Sequence, residues 1–274
     1  MTESEHSMQA HYRSEGLLDR ILAGLRGAGK DPDAPTIEDL APADEFHSLG
    51  RVATKELAGL AALTPGTRVL DVGSGLGGPA RFLAVTCDCD VTGVDLMPEF
   101  CDVASELSRR TGLAERTRFR QGNALALPFD DGAFDCAWTI QAQMNIADKR
   151  RFYGEIARVL RAGGKFVFQD ICAGDGRPLD FPVPWASEAG QSHLIAPQEL
   201  RALLVTVGLR EEIFRDVTAP ILAWQQANIP PAGAVPPLGM HLVLGERHAE
   251  KRANSSRALR DGRIAYVQGV FLKQ

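Results

Sequence analysis

The chain has 274 residues, 45% of them hydrophobic and 24% charged, a globular balance with room for one large α/β domain or two small ones. A formal net charge of -5 and a pI near 5.7 exclude a general electrostatic pull toward nucleic acid or anionic membranes, so a small-molecule partner is expected. MTESEHSMQA at the start has no basic segment followed by an apolar one, and no apolar window of about 18 residues occurs. The five cysteines fit neither a disulfide framework nor zinc spacing. The expectation is a cytoplasmic protein with reduced thiols, no metal and no membrane contact, monomeric or homodimeric.

In chain order, Leu17, Leu18, Ile21, Leu22 and Leu25 recur at helical spacing, and Gly27 and Gly29 end that helix. Residues 31–50 form a Pro- and Asp-rich connection with one short helix, for which Thr36 and Asp39 supply a capping arrangement. Arg51 to Leu63 is amphipathic and closes at Thr64-Pro65-Gly66. A strand at 68–73 runs into a Gly-rich turn and a helix from Gly77 to Val85. Strands at 89–95, 116–123, 134–140 and 165–171 follow, with helices at 98–110 and 148–161, the latter capped by Ala162-Gly163-Gly164. Read as four strand–helix units, this alternation predicts a parallel sheet.

Beyond residue 171 the rhythm breaks. Residues 172–196 gather glycine and proline around Phe181 and Trp185 and read as a lid. A helix at 197–208, a strand at 209–218, a helical insertion at 219–260 and a strand at 263–274 complete the chain. The expected fold is α/β: a Rossmann-like doubly wound sheet of about seven strands, mostly parallel with an antiparallel last strand. N-terminal helices (1–63) precede this main domain (64–274).

The sharpest local signal is the run from Val69 to Gly78, VLDVGSGLGG. Glycines after a first strand let the backbone turn sharply and approach a ligand, and the next helix offers free N–H groups. Gly73, Gly75 and Gly78 also fit the G-x-G-x-x-G fingerprint of dinucleotide sites. Asp95, about 20 positions beyond, suits ribose hydroxyls in either case. A plain tight turn is the third reading. Asp71 separates them: a carboxylate there repels a pyrophosphate but suits the ammonium and sulfonium of S-adenosylmethionine. The structural alternative leaves Asp71 as a turn cap.

VLDVGSGLGG, VTGVDL, QGNALALPFDDGAFD and ARVLRAGGKFVF, in this order across residues 65–171, resemble the motifs of class I S-adenosylmethionine-dependent methyltransferases. The resemblance implies that Asp71, Gly73, Ser74, Gly75 and Gln141 surround the donor, which leaves as S-adenosylhomocysteine. It also implies Asp95 at the ribose diol, Leu96 beside the adenine, and Asn123 and Ala124 near the adenine amino group. Asn123 stands where the family usually has Asp. HYRSEGLLDRIL and DEFHSLGRVAT are similar to segments of the small-molecule group that includes sarcosine/dimethylglycine N-methyltransferases and γ-tocopherol/quinone C-methyltransferases. There the N-terminal segment folds over the cofactor. This implies a cap at residues 1–63 that brings His47 and Tyr12 to the donor.

Ligands of such sheets bind at the carboxyl ends of the strands. The segment after the fourth strand is therefore the expected acceptor wall: Gln143 and Asn145 to orient a substrate and Met144 to pack on it. The alternative makes Asn145 a helix cap. Asp170 is expected at the pocket rim or as a turn residue. Trp185 is expected to wall the pocket or hold a methylammonium by cation–π contact. His193 is a candidate base and Tyr12 a second catalytic candidate. Trp224 and His241 read as core or interface residues.

The reaction expected is methyl transfer to a small molecule, with an amine nitrogen favoured over carbon or oxygen of an aromatic or quinone-like metabolite. An NAD(P)-dependent oxidoreductase and a non-enzymatic cofactor-binding module are the other readings. The acidic balance, and the lack of an Asn-Pro-Pro-Tyr/Phe type of motif after the fourth strand, speak against nucleic acid. On the leading reading Asp95→Ala weakens binding of S-adenosylhomocysteine by roughly 1–3 kcal/mol, and Gly75→Val abolishes it. Calorimetric titration checks both; wild-type affinity in the two variants would remove the ligand from this turn.

Overall fold

The computed structural model describes residues 11–12, 16–228 and 235–274. Its centre is one sheet of β1 (Arg68–Val72), β2 (Asp90–Asp95), β3 (Thr117–Gln121), β4 (Phe134–Ile140), β5 (Leu160–Ala173), β6 (Leu209–Asp216) and β7 (Ile264–Lys273). The spatial order is β3-β2-β1-β4-β5-β7-β6. β1 to β5 pair in parallel, and β7 runs antiparallel to both β5 and β6.

Sequence chemistry explains the order. β1 and β4 are apolar almost throughout and buried on both faces, as central parallel strands must be. β3 alternates inward Thr117 and Phe119 with exposed Arg118 and Arg120, which suits an edge. The last strand is antiparallel as expected, but it lies inside the sheet. IAYVQGVFLK is nearly all buried and needs neighbours on both sides, whereas the charge-rich LREEIFRD of β6 tolerates the edge.

The helices are α1 (Leu17–Gly27), α2 (Ile37–Asp44), α3 (Arg51–Ala61), α4 (Gly78–Thr86), α5 (Pro98–Arg110), α6 (Lys149–Val159), α7 (Pro197–Thr206), α8 (Thr218–Ala227), α9 (His241–Leu244) and α10 (His248–Arg260). α2 starts on a capping box, with the Asp39 N–H donating to Thr36 Oγ1 at 3.1 Å and the Thr36 N–H to Asp39 Oδ2 at 3.0 Å. Two details depart from the strand–helix reading. Residues 122–133, between β3 and β4, form turns and no helix, because Gly122, Pro128 and Gly132 break any helical run. α6 stops at Val159 and β5 begins at Leu160, ahead of the Gly163-Gly164 pair expected to cap the helix. None of the helices among the described residues is long and apolar enough to cross a membrane.

Both faces of the sheet are covered. On one, Phe152, Tyr153 and Ile156 of α6 and Leu200 and Leu204 of α7 pack on Leu70, Val72, Phe166 and Phe168. Each such side chain contributes about 1.5–3 kcal/mol on full burial. On the other, Leu57 and Ala61 of α3 and Ala80 and Leu83 of α4 pack on Val69, Val91, Trp138 and Val167. A third cluster joins α1 and α2 to α5 through Leu17, Ile21, Leu40, Phe100 and Leu107. The fourth lies around Leu49, Met144, Trp185, Ile221, Leu259 and Tyr266. Val183, Trp185 and Ala186 of the 172–196 segment are buried in it, while residues 174–178 and 187–190 of the same segment are exposed.

One buried ion pair docks α2 on the glycine turn. Arg81 Nη2 donates to Asp44 Oδ2 at 2.8 Å, with both side chains essentially without solvent contact. The same guanidinium donates to the Ala104 carbonyl and Ser108 Oγ, each at 3.1 Å, and to the Leu76 carbonyl. Gly78 permits this approach, since a Cβ there would lie 2.5 Å from the Asp44 carbonyl oxygen. Removing one partner of a buried pair strands the other charge, so Asp44→Ala is expected to cost about 3–5 kcal/mol in urea unfolding. An unchanged midpoint would show that the pair does not hold the cap.

Candidate functional site

The floor of the site is the end of β1 and the turn after it. Gly73, Gly75 and Gly77 all have positive φ, 77°, 51° and 77°, so the turn closes in a conformation that side chains disfavour. Its N–H groups are anchored to β2: Gly73 and Ser74 donate to the Val94 carbonyl at 2.8 and 3.1 Å. Asp95 completes the anchor, accepting from Gly75 N–H at Oδ2 and from Met97 N–H at Oδ1, both at 2.9 Å. Phe46, from the segment after α2, covers the turn: a Cβ on Gly75 would meet its ring at 2.7 Å. Gly75→Val would therefore displace the cap as well as any ligand, and is not a clean probe of binding.

Asp71 is 2% exposed. Its Oδ2, Ser74 Oγ and Gln141 Nε2 are buried without a protein partner. Burial, with the Asp95 and Glu45 carboxylates nearby, pushes the Asp71 carboxyl up to about 8. Gln141 itself sits at φ 53°, strained for a residue with a side chain, and its Oε1 accepts from the Ser48 N–H at 3.2 Å.

A cavity of about 670 Å³ opens from this floor. Of the residues expected from sequence, Tyr12, His47, Asp71, Gly73, Ser74, Gly75, Gln141, Met144 and Trp185 line it. Its lining also takes in α8, with Leu222 and Trp224, and α10, with Arg252, Ser256 and Arg260. Trp224 is 38% exposed at this wall, which removes the core half of its core-or-interface reading: only Ile221 of α8 is buried.

Other expected residues lie outside the lining. Asp95, Leu96, Asn123 and Ala124 sit together at the carboxyl ends of β2 and β3, where the Gly122 N–H donates to the Asp95 carbonyl at 2.9 Å. Asn123 Oδ1 accepts from the Leu125 N–H at 2.8 Å. Gln143 is corrected from substrate ligand to support, because it is fully buried and its Nε2 donates to the Ile171 carbonyl at 2.7 Å. Asp170 lies beneath the turn and not at the rim, accepting from the N–H groups of Ile171 and Gln143 at 3.2 and 3.4 Å. Burial pushes it up to about 7, and burial brings the neighbouring Lys149 down to about 8. Lys149 Nζ donates to the Gln143 carbonyl at 2.6 Å and to the Ile146 carbonyl, which rigidifies the turn from below.

Asn145 is likewise a clamp outside the lining. Its Nδ2 donates to the Trp185 carbonyl at 2.6 Å, and its Oδ1 accepts from Tyr12 OH at 3.1 Å. It ties the N-terminal segment and the 172–196 segment to β4. His193 lies outside the lining as well; its backbone N–H donates to the Met144 carbonyl at 2.8 Å, and burial lowers its imidazole pKa. Trp185 is buried in the lining, with Nε1 donating to Ser192 Oγ at 2.9 Å.

The roof carries charge that the sequence reading missed. Glu45 is buried and holds His47 Nε2 at 2.8 Å, Arg51 Nε at 3.1 Å and Thr54 Oγ1 at 2.5 Å. Burial opposes its charge, yet His47, Arg51 and Thr54 hold Glu45 below the usual carboxylate range. Tyr266 OH lies 2.8 Å from Ser48 Oγ. Burial raises the Tyr12 and Tyr266 phenols above their ordinary value, so both stay protonated. Among the described residues no group of three or more His, Cys, Asp and Glu could hold a metal.

The comparisons with known proteins agree with this geometry. A family model described as a methyltransferase domain matches residues 70–168. The chain is 32% identical to the glycine/sarcosine/dimethylglycine N-methyltransferase of Actinopolyspora halophila, over 78% of this chain and 37% of that protein. It is 30% identical to an O-methyltransferase of Pyrenophora dematioidea, over 71% of each. The chain spans about half or less of the length of several curated relatives it matches. A solved structure of geranyl diphosphate C-methyltransferase from Streptomyces coelicolor A3(2) superposes with TM-score 0.71 at 19% identity, covering 100% of this chain and 99% of that one. That likeness is one of fold.

The Asp71 carboxyl generates a prediction with a definite sign. Its folded value is near 8 against an ordinary 3.8, so the folded chain keeps a proton that the unfolded chain has released. The stability tied to this group is whole below the unfolded value and is lost as pH rises toward 8. Asp71→Asn removes that loss. Thermal melts of the ligand-free protein should show the variant gaining on wild type between about pH 4 and pH 8. Parallel curves would show that Asp71 is not buried in its neutral form.

Proposed function

The chain belongs to the S-adenosylmethionine-dependent methyltransferase family, and we propose that it moves a methyl group from S-adenosylmethionine to a small organic acceptor, an amine nitrogen first among them. One observation carries the reading: a buried Asp71 carboxyl at the end of β1 has an unpartnered oxygen, and Ser74 Oγ of the glycine turn and Gln141 Nε2 just after β4, which line the same cavity, are unpartnered too. The chemistry of this set fits the donor. Asp71 suits the ammonium, the hydroxyl and amide suit its carboxylate, and Asp95 with Asn123 suits the ribose and adenine. A cation beside Asp71 favours its ionised form, so the proton leaves as the donor arrives.

When bound, S-adenosylmethionine supplies a methyl group made electrophilic by its sulfonium. The rest falls to the chain, and it consists of alignment and exclusion of water. Met144, Ile171 and Trp185 wall the space next to the turn. Asn145, outside the lining, keeps Tyr12 and the Trp185 backbone in place from behind. The two ring nitrogens of His47 face Glu45 and the Ser48 carbonyl at 2.8 and 3.3 Å, so this imidazole is a fixed part of the wall. Both tyrosines of the lining stay protonated.

Among the described residues this wall offers no ready base, which favours an acceptor whose nucleophilic form is reached by proton loss to water before it binds. An ammonium sheds its proton to water in this way and enters as the free amine, whereas a phenol or a carbon acid enters neutral and has to be deprotonated at the site. The N-methyltransferase name of the Actinopolyspora halophila relative supports the same choice. A cap at 1–63, a cytoplasmic location and a monomer or homodimer with no nucleic-acid partner complete the proposal, the last on the acidic balance of the chain.

The test is ligand-dependent melting followed by turnover. S-adenosylhomocysteine is expected to raise the melting temperature of the full chain and NADH to leave it unchanged. Methyl-labelled S-adenosylmethionine should then pass its label to small amines in a metabolite panel. Stabilisation by NADH, or cofactor binding with no labelled product from the full panel, would replace the proposal with one of its rivals.

A further inference from the structure

The lining of the cavity carries basic as well as acidic groups. On α10, Arg252, Ser256 and Arg260 stand at i, i+4 and i+8, on one face over two helical turns, and all three line the cavity. Arg252 and Arg260 are exposed, and neither has a hydrogen-bond or ion-pair partner among the described residues. The arginines around them do. Arg247 pairs with Glu250, and Arg257 and Arg263 both pair with Asp180. Asp261 is held by Arg263.

The facing wall is neutral: α8 contributes Gln225 and Gln226 there. The lining also has apolar Met144, Trp185, Leu222 and Leu244, with the hydroxyls of Ser48, Ser255 and Tyr266 among its polar groups. Two guanidinium groups without a partner among the described residues, on one face of one helix, raise the local positive potential. An anion between them lowers that potential and accepts charge-assisted hydrogen bonds from both.

Resting on the methyl-transfer reading above, we infer that the acceptor is an amphipathic organic anion. Its nucleophile lies at the Asp71 end, its apolar body runs along Met144, Trp185, Leu222 and Leu244, and its carboxylate or phosphate is held by Arg252 and Arg260 with the Ser256 hydroxyl. The cavity thereby sorts its ligands by charge: the cationic donor goes to the acid floor and the acceptor's anionic tail to the arginines of α10.

The test uses the full chain. Calorimetry first measures S-adenosylhomocysteine on wild type and on the R252Q/R260Q double variant, where equal affinity is expected. These exposed positions tolerate substitution with little effect on stability. With that ligand saturating, phenyl phosphate, 3-phenylpropanoate and neutral 3-phenylpropanamide are then titrated. At least one of the anions is expected to bind wild type about tenfold or more tightly than the amide, and which of them does identifies the tail. The preference should vanish in R252Q/R260Q and return in part in R252K/R260K. Equal affinity for the three probes, binding of none, or a preference that survives in the glutamine variant overturns the inference. Failure of wild type to bind S-adenosylhomocysteine overturns the methyl-transfer reading itself, and the inference with it.

Discussion

The cavity depends on the buried contact between the end of α2 and the start of α4. Arg81 reaches Asp44, the Leu76 carbonyl and α5 at once, and Gly78 lets the chain close to van der Waals limits. Everything that roofs the glycine turn follows directly in sequence: Glu45, Phe46, His47 and Ser48. A buried pair of this kind adds little net energy over an apolar contact, but leaving either partner alone is costly. The arrangement therefore selects one docking of the cap and penalises others.

Charge of both signs lines the cavity. Burial pushes the Asp71 carboxyl up to about 8, and Arg252 and Arg260 have no carboxylate partner among the described residues. Charged groups held on one cavity orient a ligand of opposite sign. For an in-line displacement this matters, because donor and acceptor must meet end to end.

A buried polar frame under the β4–α6 turn gives the wall its stiffness. Gln143, Asp170 and Lys149 satisfy the turn's backbone groups, and Asn145 joins three chain segments. These residues stand next to the cavity in sequence, and they were expected in it. Position at a strand's carboxyl end is legible from the pattern of residues. The direction in which a side chain points is not, because a 3-10 turn at Gln143–Asn145 rotates successive residues to different sides. Met144 faces the cavity, and its two neighbours face the frame.

Local chemistry alone determined much of the chain. The strands at β1, β2, β4 and β5, the capping box of α2 and the glycine turn all came from periodicity and short-range rules, which act within a few residues. Asp71 was singled out by charge next to that turn, and it is where the orphaned oxygen lies. Tertiary structure decided what long-range pairing controls. It set β7 between β5 and β6, buried Val183, Trp185 and Ala186 against the core, and brought Glu45, Tyr266 and the arginines of α10 to one cavity. The spacing of Arg252, Ser256 and Arg260 was visible in KRANSSRALR. An amphipathic helix does not reveal whether its polar face meets bulk water or a ligand, since both solvate charge; only the packing of α8 and α10 over the strand ends distinguishes the two.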